Sequence, residues 1–109
     1  ANPSHRDIRN NDALADAIFE AGAFVQEIDD FEDEPDDRRE GYITEFTENP
    51  HAAKQFLFSA RGKIGTIRNA FVQAGVAQDR VKELNTYLNL FVARKSLKRL
   101  KKVGRRKLL

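Results

Sequence analysis

FLFSARGKIGTIRNAFVQA, residues 56–74, decides the fold class. Within it Phe56, Ala60, Ile64, Ile67, Phe71 and Ala74 recur at spacings of four, four, three, four and three. That rhythm keeps six apolar side chains on one face of an α-helix, whereas a half-buried strand requires alternation. Leu57 and Ala70 widen the stripe. Gly62 and Gly65 interrupt it, each at a cost of about 1 kcal/mol relative to Ala. The stretch therefore reads as one bent helix or as two helices joined near 62–65. Gly75 closes it, as a left-handed residue after a helix commonly does.

The same rhythm appears on either side. Leu14, Ile18, Ala21, Val25 and Ile28 mark a first helix over about 12–30, with Phe24 and Phe31 flanking the stripe. Asn10, Asn11 or Asp12 supplies its N-cap. Glu32-Asp33-Glu34-Pro35-Asp36-Asp37 reads as punctuation, with Pro35 opening a second, shorter helix over about 36–48. Tyr42, Ile43 and Phe46 share one side of that helix. Asn49 then serves as N-cap and Pro50 as the first residue of the central helix. Beyond Gly75, Val81, Leu84, Leu88 and Phe91 give a core helix over about 77–92. Ala93, Leu97, Leu100 and Val103 lie about 100° round from it, taking 100° per residue, so the chain is divided there. No apolar alternation and no Asn-Gly or Asp-Gly hairpin turn is present. The expectation is an all-α bundle of about four helices. It has a loose polar arm at 1–10, a helical domain at 11–92 and a basic amphipathic tail at 93–109 that frays beyond 103.

Charge is the second organising feature. Residues 1–50 carry four Arg against 15 Asp and Glu, a net charge of −11. Residues 51–109 carry 15 Lys and Arg against Asp79 and Glu83, a net charge of +13. The overall +2 conceals both. Such asymmetry points to an interaction role with nucleic acid, an anionic membrane or a charged partner. Cysteine is absent, which removes disulfides and thiolate metal sites. No basic-then-apolar leader and no run of 18 apolar residues is visible, so the expected setting is intracellular and soluble, cytoplasmic or virion-associated. Size and charge together suit an accessory protein of a virus or mobile element.

The tail carries the strongest functional signal. Arg94, Lys95, Lys98, Arg99, Lys101, Lys102, Arg105, Arg106 and Lys107 place nine cations within fourteen residues. A polyanion relieves their mutual repulsion and releases its own counterions. No aromatic residue follows Phe91, so the expected contact is with phosphates and not with stacked bases. Leu97, Leu100 and Val103 lie on the tail's apolar side and are the candidate partner-binding residues. Phe71, Gly75, Val76, Val81 and Leu84 fit the core positions of a helix-turn-helix. Phe71 stands where that motif wants a small residue, however, and Asp79 and Glu83 would face DNA. A plain αα-hairpin is the better reading.

Enzymatic signals fail one by one. The acidic run 29–37 lacks the sharp-turn Gly of a calcium loop. It reads as a solvated connection, or as a partner for a basic surface, this chain's own tail included. Gly62-Lys63 has Leu57 and Ile64 where a phosphate loop requires Gly and Ser or Thr. His5 and His51 have no second ligand at helical spacing. Ser4 and Ser59 lack a histidine-carboxylate context. The expectation is a non-enzymatic protein without cofactor or metal that binds nucleic acid through the tail. The alternatives are a helical scaffold that self-associates or docks on a protein, and attachment of the tail to an anionic membrane surface.

Overall fold

Among the described residues four helices follow one another: α1 (Ser4–Glu40), α2 (Glu45–Glu48), α3 (Ala52–Gln73) and α4 (Gln78–Leu108). The computed structural model describes the backbone of residues 4–49 and 51–108, and the side chains of 11–49 and 51–104. The fold is all-α, and no strand occurs among the described residues. The long helices α1, α3 and α4 pack on one another in all three pairings, and α2 caps the junction of α1 with α3. The molecule measures 67 × 26 × 17 Å. That length follows from α1, whose 37 residues span about 55 Å at 1.5 Å per residue.

The core is a phenylalanine cluster continued by aliphatics. Phe31 and Phe56 have ring centroids 4.9 Å apart, and Phe46 of α2 meets Phe56 edge-on at 5.7 Å. Ile28, Ile64, Ile67 and Leu88 complete it. Phe24 and Phe31, expected to flank the first stripe, are core residues. Ile18 and Ile43, expected inside, are exposed. Helix α1 is rotated relative to its Leu14–Ile18 stripe because the bulky rings occupy the space against α3.

The first helix departs most from expectation. It starts at Ser4, inside the expected arm, and passes through Pro35 without ending. It stops at Gly41, where the backbone takes φ 81°. The Gly41 N–H donates to the Arg38 carbonyl and the Tyr42 N–H to the Asp37 carbonyl, the paired bonds of a Schellman motif. The expected helix over 36–48 is therefore the end of α1, a turn, and the four-residue α2. A reciprocal cap starts α2: the Thr44 hydroxyl accepts from the Thr47 N–H, and the Thr47 hydroxyl accepts from the Thr44 N–H.

Asn49 acts near its expected place, its side-chain oxygen accepting from the His51 N–H at 3.0 Å. The N-cap of α3 is His51, and Pro50 lies outside the described residues. Helix α3 runs unbroken through Gly62 and Gly65. Gly75 ends it with φ 87° and a second Schellman pair, as expected. Helix α4 then doubles back along α3 as an αα-hairpin. It is continuous past residue 92, so the expected division there is not a break in the helix.

Candidate functional site

The reason α4 continues lies in what it turns inward. Val81, Leu88, Lys95 and Lys102 recur every seven residues, and Val92 and Arg99 lie beside them. One face of α4 thus begins apolar and ends cationic. The facing part of α1 changes in step, from Phe24, Ile28 and Phe31 to the buried Glu32 and Glu34. An apolar seam passes into an ionic one without a change of direction.

Three cations of α4 make this ionic seam. Lys95 lies 3.0 Å from Asp29 and 3.5 Å from Glu32. Arg99 lies 2.9 Å from Glu34 and stacks over the Phe31 ring at 4.7 Å. It also donates to the Phe31 carbonyl at 2.8 Å. Lys102 reaches Glu32, Asp33 at 3.1 Å and Asp36 at 3.0 Å. Glu34 is held from its other side by Arg38 at 2.7 Å, which in turn donates to the Phe46 carbonyl. Among the described residues no buried side-chain nitrogen or oxygen lacks a partner.

The seam reshapes the titration of its members. Burial alone pushes the Glu32 carboxyl up; a hydrogen bond with Asp33 and the Lys102 ammonium outweigh it and hold it at about 2. Asp33 moves up, because it shares that hydrogen bond with Glu32 and is partly desolvated. The hydrogen bond to Asp29 raises Lys95 against the opposing effect of burial. Burial lowers Lys102, but its bonds to Glu32, Asp36 and Asp33 override this and push it above the ordinary lysine range. These residues join α4 to the end of α1, and their charges are paired within the fold.

The expected phosphate-binding set is therefore split. Lys95, Arg99 and Lys102 face α1. Arg94, Lys98 and Lys101 are exposed and make no ion pair among the described residues. The side chains of Arg105, Arg106 and Lys107 lie outside the described ones. The expected apolar face is split too: Leu97 and Leu100 are exposed, whereas Val103 is half-buried. On another flank of α4, Arg61 and Arg68 of α3 face Asn85 and Asn89 across a groove of about 360 Å³. Helix α3 contains no carboxylate, and Arg61 and Arg68 also make no ion pair among the described residues.

A larger groove, about 660 Å³, lies between α1 and α3. Phe19 and Phe58 stand on its walls, 77% and 80% exposed, with Ala23 and Gly62 beside them. Sequence reasoning missed this groove. Its signal was two aromatic residues lying off the apolar stripes of their own helices. Among the described residues no group of His, Asp and Glu is arranged to hold a metal ion, and no helix is long and apolar enough to cross a membrane. No protein family, no curated protein and no solved structure matches the chain.

Proposed function

We propose that this protein is a non-enzymatic nucleic-acid-binding protein that contacts phosphates without reading sequence. One observation carries the reading. Arg94, Lys98 and Lys101 project from α4 with no carboxylate partner among the described residues, while the nearby acids of α1 are engaged by Lys95, Arg99 and Lys102. The acidic half thus quenches one side of the basic helix and leaves the other for a polyanion. Arg61 and Arg68 supply a second contact on a separate flank, with the Asn85 and Asn89 amides beside them as further donors. A flexible single strand can follow both surfaces, whereas a stiff duplex engages one at a time.

Fluorescence anisotropy with a labelled single strand and a labelled duplex, over a series of salt concentrations, tests the reading. Contact through the five cations of both surfaces gives a log–log slope of roughly −3.5 on single strands, and contact through the three of α4 alone roughly −3 on duplex. Binding that ignores salt, or that survives Arg94→Gln, Lys98→Gln and Lys101→Gln together, overturns it. The walls of the α1–α3 groove favour a second reading, that of a helical assembly protein, because two phenylalanines this exposed mark a surface that takes an apolar partner.

A further inference from the structure

The geometry points to a second copy of this chain as the occupant of the α1–α3 groove, entering with the outer face of its α4. Three features of the two surfaces match. The first is shape. The groove is an open trough between two helices, and α4 carries an outward row of Tyr87, Leu90, Arg94, Leu97 and Lys101 at spacings of three, four, three and four. That row is the contact edge of a helix laid in a groove. Leu90 and Leu97 are 59% and 60% exposed among the described residues.

The second is charge. At 100° per residue, Asp12, Asp16 and Glu20 of α1 fall on the same flank as Phe19 and Ala23, and all three are exposed. They make no ion pair among the described residues. Arg94, Lys98 and Lys101 are likewise exposed and unpaired among the described residues beside the leucines of α4. Asp12 to Glu20 spans about 12 Å of helix and Arg94 to Lys101 about 10.5 Å, so the two rows match in length as well as sign. The third is topology. The chain's own α4 packs its opposite face on α1 and α3, so its outer face does not reach the groove of the same molecule.

Groove and row are different surfaces, so the contact is head-to-tail. Each added copy leaves one groove and one row open, and assembly proceeds to a ring or a filament instead of stopping at a two-fold dimer. The proposal is independent of nucleic-acid binding, although both use the outer cations of α4. A bound polyanion and a neighbouring copy then compete.

The experiment is sedimentation velocity on the full chain freed of nucleic acid, in low salt, from 1 to about 100 μM. Wild type is expected to pass beyond dimer as concentration rises. Phe19→Ser with Phe58→Ser disables the groove, and Leu90→Ser with Leu97→Ser disables the row. Each variant alone is expected to lose at least tenfold in self-association. An equimolar mixture is expected to form a one-to-one complex and nothing larger, since only one intact groove and one intact row remain between them. Gly62→Arg is the control for folding. A Cβ built on Gly62 meets nothing within 4 Å, so an added side chain enters the groove and favours the helix. It too is expected to abolish assembly while retaining helical circular dichroism. A monomeric wild type at 100 μM, assembly by the groove variant alone, or a mixture that fails to pair overturns the proposal.

Discussion

Arg99 donates to the carbonyl oxygen of Phe31 at 2.8 Å, and that oxygen is the one Pro35 cannot satisfy. In an uninterrupted helix the N–H of residue 35 would bond it, but proline has none. The guanidinium of α4 fills the vacancy in α1, 68 residues away in sequence, while also pairing with Glu34 and lying over the Phe31 ring. This is how a helix passes through an internal proline here: a second helix supplies the missing donor.

The pairing of Pro35 with Arg99 is measurable as a coupling. Arg99→Ala leaves Glu34 with Arg38 alone and the Phe31 carbonyl without a donor, and is expected to cost about 1–3 kcal/mol. Pro35→Ala restores a backbone N–H at that position. In the Pro35→Ala background, Arg99→Ala is expected to cost at least about 1 kcal/mol less. Urea unfolding of the four proteins followed by circular dichroism gives the cycle. Strictly additive costs would show that the carbonyl does not depend on Arg99.

The ionic seam also sets the response to acid. The folded Glu32 carboxyl sits at about 2 against an ordinary 4.5, so it takes up its proton later than in the unfolded chain. Its stabilisation is complete above pH 4.5 and disappears as pH falls through 2, on the order of 3 kcal/mol in all. Asp33 is raised by its bond to Glu32 and by burial, and Asp37 by burial and by its acidic neighbours. They act oppositely, favouring the folded state as they protonate, and offset part of the loss. Stability measured between pH 6 and pH 2 is expected to fall, and Glu32→Gln is expected to flatten the segment below 4.5. Lys102, raised above its ordinary 10.5, contributes below that pH and loses its contribution as pH climbs past it. An unchanged acid slope in Glu32→Gln would place the sensitivity elsewhere.

Two glycines are expected to respond in opposite directions to the same substitution. Gly41 has φ 81° and Gly62 is helical, and neither would bring an added Cβ within 4 Å of another group. Only backbone conformation separates them. Gly41→Ala is expected to destabilise by about 1–2 kcal/mol, because the left-handed region is costly for an L-residue. Gly62→Ala is expected to stabilise by about 0.5–1 kcal/mol through helix propensity. Thermal melts of both variants check the pair.

The all-α class, the αα-hairpin and the helix end at Gly75 were legible from apolar spacing and one glycine. What escaped was the part of the core that is not apolar. Phe31, Glu32, Glu34 and Pro35 are buried as a block, yet hydropathy reads Glu32 to Asp37 as a solvated break. In the same way Lys95, Arg99 and Lys102 continue the inward line of Val81 and Leu88, but a pattern built on apolar residues stops at Phe91. The shift to Leu97 and Leu100 then reads as a new core-seeking face, although it is the outer side of the same helix. The acidic run's pairing with the chain's own basic tail, entertained from charge alone, is the geometry that resolves both misreadings.

That division makes the decisive charge experiment different from one that treats the tail as a single cationic block. Replacing Lys98, Arg99, Lys101 and Lys102 with Gln together mixes two populations and confuses unfolding with lost binding. Separate sets are expected to dissociate cleanly. Lys95→Gln, Arg99→Gln and Lys102→Gln remove both cations from buried Glu32 and leave buried Glu34 with Arg38 alone, so stability is expected to drop by several kcal/mol. Arg94→Gln, Lys98→Gln and Lys101→Gln remove exposed charges with no ion pair among the described residues, so stability is expected to move by no more than about 0.5 kcal/mol. The same outer set is expected to shrink the salt dependence of single-strand binding by roughly 2 in log–log slope. Unfolding midpoints and anisotropy titrations on both sets decide the matter. An outer set that binds as wild type does, with stability intact, would remove nucleic acid as the partner of this surface and leave the neighbouring copy as its occupant.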